Sequence, residues 1–308
     1  MNEIKHVMAL TSSTTDVSCA VTAGAVLAER WGAKLTVLHV IDDHHADLEF
    51  IAEDKFEELQ RNARQGLESA LNEIRTAGVV PVMSEVRVGS PFDEISNAMI
   101  EHKADLITCG VGYGEGDDPY ESGLGIISKR LAHKLPVDIV FVRRASEGSP
   151  NKILVATDFS SCSADAMRRA LTLASKSQVK TIRVINTYSL PEHHFRTGHS
   201  EDEVASTMLA HAEKHGKEWL AKIDTHGVAV EMVYRMGSAA DVIVDEANQY
   251  AADYLFVGTH GRTASAAVLL GNVAERVIHN AKCTVWAERT DGQAMGFAAA
   301  IARLMGIE

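Results

Sequence analysis

The sequence predicts an α/β protein built from two copies of one open parallel sheet, each covered by helices on both faces. Short apolar runs that do not alternate recur between longer helical stretches, which is typical of parallel strands buried on both faces. The chain also repeats itself: an offset of 146 residues brings Val7 onto Ile153, and an offset of 148 brings Gly110 onto Gly258. A period this long, used twice, indicates two copies of one domain rather than a solenoid.

Each copy has strands and helices in alternation, which requires right-handed crossovers and therefore an open parallel sheet. The expected strands are rich in Val, Ile and Leu. In the first copy we expect strands at 5–10, 34–41, 81–88, 104–110 and 137–142, and helices at 15–31, 50–77, 91–102 and 125–134. In the second copy we expect strands at 152–157, 180–187, 228–235, 253–258 and 283–288, and helices at 162–176, 200–225, 239–250 and 271–280.

The repeat sets the expected domain boundaries. The first domain covers residues 1–145 and the second covers 151–289, which suits a chain of 308 residues. A short polar linker joins them. Residues 290–308 form a tail with a helical apolar face, which we expect to pack on the body or on a partner.

Composition excludes several classes of function. A formal net charge of -12 argues against broad affinity for nucleic acid or an anionic membrane. No run of eighteen apolar residues and no charged-then-apolar leader is present, so we expect a cytoplasmic protein without a membrane span. The four cysteines form no CxxC pair and are expected to be structural thiols.

A glycine-rich loop follows the fourth strand of the second copy. Gly258, Gly261 and Gly271 give the spacing G-x2-G-x9-G, and a helix begins directly after the last glycine. Glycines let the backbone approach an anion closely, and the helix N-terminus directs N–H groups and positive dipole towards it. Arg262 adds a positive charge. The loop therefore indicates a phosphate site, although a glycine-rich turn without a ligand is the alternative.

A carboxylate follows the first strand of the same copy. Asp158 stands across the expected switch point from the glycine loop, where open α/β sheets bind their ligands. There it could accept hydrogen bonds from a ribose hydroxyl or an adenine amine. The alternative is that Asp158 caps the following helix.

These features resemble the universal stress protein family in its tandem two-domain form. The residues from Thr157 to Ser160 and the glycine loop, with its flanks VGTHGRT and LLGNVAERVI, carry the resemblance, which covers both halves. It implies five-stranded sheets of order 3-2-1-4-5, like those of the adenine nucleotide alpha hydrolases. It also implies bound ATP, usually with a divalent cation such as Mg2+. Carried over position by position, the ATP contacts would be Ala156, Thr157, Asp158, Thr187, Gly258, His260, Gly261, Arg262, Gly271, Asn272 and Val273.

One residue departs from the family's ATP motif. Asn272 stands where the motif usually has Ser or Thr, so the hydroxyl suited to a metal is missing, although an amide can still donate to a phosphate oxygen. We therefore expect binding with slow turnover or none, and assign no catalytic residue. A slow Mg2+-dependent ATPase is one alternative function, and a non-catalytic interaction module with a structural nucleotide is another.

The first copy has lost the same features. Tyr113 replaces Gly261, Arg262 has no basic counterpart, and Ser12 replaces Asp158. Four carboxylates occupy the corresponding loop, at Glu115, Asp117, Asp118 and Glu121. Because like charges repel, we expect the first copy not to bind ATP in this way. The acidic loop is expected to be a solvated lid, with a hard-cation site as the alternative.

Fourteen histidines raise the question of a metal. His211 and His215 are one helical turn apart, a spacing that can chelate Zn2+, but no HExxH motif is present. His44-His45 and His193-His194 follow the second strand of their copies. We expect all of these histidines to face solvent.

The leading functional hypothesis is a cytoplasmic stress-response protein that binds ATP in its second domain and acts as a nucleotide-dependent switch or sensor. The role in stress is implied by the family resemblance. We expect the two last strands, 137–142 and 283–288, to pair the halves, and the tandem chain to form a homodimer. The sequence does not identify the protein partner.

Overall fold

The computed structural model describes residues 3–12, 14, 17–43, 53–76, 80–111, 125–143, 150–191, 198–259 and 270–289. The chain divides between Ser149 and Pro150 into two compact units, and each unit is described by itself. Within the described ranges, every helix is too short or too polar to cross a membrane.

The first unit contains five parallel strands in the order β3-β2-β1-β4-β5. Its strands are β1 (His6–Thr11), β2 (Lys34–Ile41), β3 (Val82–Val88), β4 (Leu106–Gly110) and β5 (Asp138–Val142). Its helices are α1 (Cys19–Trp31), α2 (Glu53–Ala70), α3 (Asn72–Thr76), α4 (Pro91–His102) and α5 (Ile126–Lys134).

The second unit repeats this arrangement, with strand order β10-β9-β6-β7-β8. Its strands are β6 (Ile153–Thr157), β7 (Thr181–Tyr188), β8 (Ala229–Met236), β9 (Tyr254–Gly258) and β10 (Thr284–Glu288). Its helices are α6 (Ser161–Lys176), α7 (Glu201–Leu220), α8 (Ala239–Tyr250) and α9 (Asn272–Asn280). All residues of β6 and β10 are buried, as expected for strands covered on both faces. The predicted fold class and the order 3-2-1-4-5 are confirmed.

Two predicted helices differ from the observed ones. The helix predicted over 50–77 is divided at Leu71, although backbone hydrogen bonds continue across that residue. The helix predicted to reach residue 225 ends at Leu220. There the backbone tightens into i→i+3 hydrogen bonds, and His226 and Gly227 then take positive φ angles of 49° and 80°, which reverses the chain.

A repeated aspartate fastens the first and fourth strands of each unit together. Asp105 accepts hydrogen bonds from two backbone N–H groups at the start of β1, at 2.8 and 3.0 Å. Asp253 accepts the corresponding pair just before β6, at 2.7 and 2.8 Å. Because these bonds fix where both strands start, they also fix where the opposite, carboxyl ends meet.

Candidate functional site

The candidate site lies at the carboxyl ends of β6 and β9 in the second unit. These strands are parallel neighbours, with Ile153 paired to Tyr254 and Val155 to Phe256. The chain leaves β6 through Asp158 and leaves β9 through Thr259, so both loops begin at the same edge of the sheet. Such an edge, where crossovers depart in opposite directions, is the usual ligand position of an open α/β sheet.

The turn after β6 is held in an unusual backbone conformation. Phe159 has a φ angle of 65°, a left-handed conformation that is uncommon for a bulky residue and costs free energy. The Thr157 hydroxyl accepts a hydrogen bond from the Phe159 N–H at 3.0 Å and lies 3.0 Å from the Ser163 hydroxyl. The Phe159 ring also contacts the Trp219 ring on α7, with centroids 5.7 Å apart. Tertiary contacts thus hold the strained turn in place.

Asp158 supports this turn without capping the helix. Its Oδ1 accepts a hydrogen bond from the Ser160 N–H at 3.0 Å. The cap of α6 is Ser160, whose hydroxyl accepts from the Ser163 N–H at 3.2 Å. The alternative interpretation of Asp158 as the helix cap is therefore wrong. Serine two residues further along fits the cap better because its short hydroxyl reaches the first-turn N–H.

Strand β7 supplies the other side of this edge. Thr187, predicted to flank a base, lies half-buried near the end of β7. The preceding residue, Asn186, is buried, and its amide donates to the Thr157 carbonyl at 2.8 Å. Asn186 therefore holds β7 against the end of β6. The sequence analysis missed this residue, and the signal was an amide side chain directly after the apolar pair Val184-Ile185.

The ends of the glycine loop are brought together by backbone contacts. Thr259 is fully buried, its N–H donates to the Glu288 carbonyl at 3.1 Å, and its own carbonyl accepts from the Gly271 N–H at 2.7 Å. Gly258 packs against the first turn of α6, where an added Cβ would lie 2.9 Å from the Cys162 Sγ. The chain thus leaves β9 and enters α9 at neighbouring points. Thr259 is a second residue that the sequence analysis missed.

Helix α9 begins with a glycine in place of a capping side chain. Gly271 occupies the N-cap with extended backbone, and no side-chain cap hydrogen bond is formed there within the described structure. Asn272 and Val273, the first two helical residues, are exposed, with Val273 at 44%. The first turn of a helix carries N–H groups without intrahelical partners and a partial positive charge. This helix end suits an anion.

The predicted site residues divide into two groups. Those on the described chain lie at the carboxyl-end edge or on the flanking strand, namely Ala156, Thr157, Asp158, Thr187, Gly258, Gly271, Asn272 and Val273. His260, Gly261 and Arg262 lie outside the described residues.

The first unit shares the backbone framework but not the carboxylate. The Val111 N–H donates to the Val142 carbonyl at 3.0 Å, as Thr259 does to Glu288, and Gly125 precedes α5, which no described side chain caps. The residue after β1 is Ser12, which is exposed. The acidic loop, at 112–124, falls outside the described residues. Two described differences concern candidate contacts: Ser12 stands at the position of Asp158, and Ile126 stands at the position of Asn272.

The four cysteines form no disulfide with one another, and Cys109, Cys162 and Cys283 are buried. Burial raises the pKa of the Cys109 thiol to about 11, so this thiol stays protonated at neutral pH.

In the described part of the chain, no group of three or more His, Cys, Asp or Glu residues is arranged to hold a metal ion.

Comparison with known proteins gives consistent matches over both units. The model of the universal stress protein family matches residues 3–143 and 150–289. A universal stress protein of Methanocaldococcus jannaschii is 35% identical over 149 residues, covering 46% of this chain and 84% of that protein. One from Synechocystis is 29% identical over 145 residues, covering 44% of this chain and 94% of that protein.

Solved structures of full tandem length share the fold. A functionally unknown protein from Pseudomonas aeruginosa has a TM-score of 0.70 at 17% identity, with 98% of both chains covered. A universal stress protein from Archaeoglobus fulgidus has a TM-score of 0.64 at 18% identity, covering 92% of this chain and 98% of that one. At these identities the likeness concerns the fold alone.

Proposed function

The chain belongs to the universal stress protein family, and on that premise we propose that its second unit binds ATP and uses it as a nucleotide-dependent switch. The observation that carries the proposal is one edge of the sheet that presents both a carboxylate and a helix N-terminus that no described side chain caps. Asp158 follows β6, and α9 begins just beyond the neighbouring strand, joined to it through Thr259 and Gly271.

The two features suit the two ends of the nucleotide. Asp158 can accept hydrogen bonds from the ribose or adenine, and half-buried Thr187 on the adjacent strand flanks that position. The first turn of α9 can donate backbone N–H groups to phosphate oxygens, and the Asn272 side-chain amide can add a further donor. These groups hold charge without activating a water molecule, which favours binding over turnover. When bound, Mg2+ would neutralise phosphate charge.

The first unit is proposed not to bind ATP in this way. It keeps the strand order and a glycine-started helix, but Ser12 stands in the place of Asp158. We therefore expect each chain to bind one ATP.

Changing Asp158 to Ser gives the second unit the residue that the first unit has at this position, and so tests the site. A serine hydroxyl can still accept the Ser160 N–H, so the turn is preserved while the nucleotide loses its carboxylate partner. We expect ATP affinity to fall by about tenfold to a hundredfold, corresponding to roughly 1–3 kcal/mol. Calorimetry on the full chain measures both the affinity and the stoichiometry.

The matched control is Ser12→Ala, which should leave ATP affinity unchanged. Melting curves without nucleotide separate a damaged fold from a damaged site. Unchanged affinity in a folded Asp158→Ser protein, or two ATP bound per chain, would contradict the proposal.

A conformational response to ATP is expected at Trp219. This residue is 7% exposed and contacts Phe159, the strained residue directly after Asp158. A ligand that rearranges Asp158 should therefore change the Trp219 environment and be detected by tryptophan fluorescence. The response should saturate with the calorimetric affinity and disappear in Trp219→Phe. ATP binding without any change in Trp219 emission would indicate that the nucleotide is only structural. It would exclude a switch that acts through the contact between Phe159 and Trp219.

A further inference from the structure

One face of α7 is fixed on the sheet, so the opposite face is held in a defined orientation. Ala212, Gly216 and Trp219 are its buried residues. Gly216 lets α7 pack closely on β8, because an added Cβ would overlap the Tyr234 hydroxyl. A glycine inside a helix is normally destabilising, and here it allows close approach to the strand.

Two histidine side chains meet on the exposed face of this helix. The Nε2 atoms of His211 and His215 are 3.1 Å apart, and their ring centroids are 4.2 Å apart. Both residues are exposed. When two imidazole nitrogens bind the same metal ion, each at about 2.0–2.1 Å, the nitrogens lie about 3 Å apart in tetrahedral or octahedral geometry. In the metal-free protein one ring donates a hydrogen bond to the other across this distance, so the rings have the separation that a shared metal ion requires once that proton is displaced.

A carboxylate lies on the other side of one of these rings. The Glu218 Oε2 is 3.9 Å from the Nδ1 of His215. At this distance Glu218 is too far away for a hydrogen bond to His215, but its negative charge is near enough to favour a cation bound to the two rings.

We propose that His211 and His215 chelate a divalent transition-metal ion that prefers imidazole, such as Zn2+, on the exposed face of α7. Imidazole suits Zn2+, Cu2+ and Ni2+, whereas Mg2+ prefers oxygen ligands. The described chain shows no cluster of three or more ligating side chains, so water completes the coordination sphere. The bound ion links two successive turns of α7 and stabilises them.

A Zn2+ titration of the full chain, followed by calorimetry, tests the site. The wild-type protein should bind one more equivalent of Zn2+ than the double variant His211→Gln/His215→Gln. Glutamine is a better helix former than histidine, so the variant should fold. Zn2+ should also raise the melting temperature of the wild-type protein, because it binds the native helix, and should not raise that of the double variant.

Two further variants make the test specific. His226→Asn removes another exposed histidine, which lies near Asp224 in a turn, and should keep the full Zn2+ stoichiometry. Glu218→Gln should weaken Zn2+ binding only slightly, by about twofold to fivefold, because it removes a nearby exposed negative charge and no ligand. Equal Zn2+ binding by the wild-type protein and the double variant would overturn the proposal, as would the absence of saturable binding to the wild-type protein.

Discussion

Replacing Arg169 by Met is expected to lower the free energy of unfolding by about 3–5 kcal/mol. Arg169 and Glu288 are both buried, at 5% and 1% exposure. The Arg169 Nε lies 3.2 and 3.1 Å from the two carboxylate oxygens of Glu288. Removing the guanidinium takes away a charged partner while Glu288 stays out of water, which is the costly way to break a buried pair. Denaturant unfolding measures the change.

Removing both charges should recover much of this loss. The double variant Arg169→Met/Glu288→Gln keeps an acceptor for the Trp286 indole N–H, which donates to Glu288 at 2.9 Å. The repeat supports this expectation, since an offset of 146 residues aligns Glu288 in the sequence with Val142, a buried apolar residue of the first unit. A double variant less stable than Arg169→Met alone would contradict this account, and so would a single variant as stable as the wild type.

The strands could be placed from the sequence because two physical signals agreed. Burial on both faces leaves unbroken apolar runs, and the internal repeat locates each run twice. The repeated Ala104-Asp105 and Ala252-Asp253 pairs also have a structural cause, because both aspartates fasten the start of a first strand.

The contacts between distant residues could not be predicted in the same way. Arg169 and Glu288 are 119 residues apart, and no local pattern links them. The same is true of Asn186 and the Thr157 carbonyl, which meet only because β6 and β7 pair in one register. Asp158 was placed correctly at the end of a strand, but the helix cap depends on a turn whose left-handed residue, Phe159, has no sequence signature.

Changing Gly258 to Ala is expected to weaken both the fold and ATP binding. The added Cβ would lie 2.9 Å from the Cys162 Sγ and 3.1 and 3.2 Å from the Cys162 backbone carbon and oxygen. The end of β9 must then move away from α6, at a cost of about 1–3 kcal/mol for an overpacked interior. Thr259 follows directly and holds Gly271 through its carbonyl, so the start of α9 should shift with it.

The repeat provides a matched control for Gly258→Ala. Gly110 ends β4 as Gly258 ends β9, but an added Cβ at Gly110 meets no described atom within 4 Å. Gly110→Ala should therefore be neutral or stabilising by up to about 1 kcal/mol and should leave ATP affinity unchanged. Adding Cys162→Ala to Gly258→Ala removes the nearest contact but not the backbone ones, so it should restore stability and affinity only in part. Equal effects of the two glycine substitutions on ATP affinity would mean that the nucleotide does not depend on how β9 meets α6.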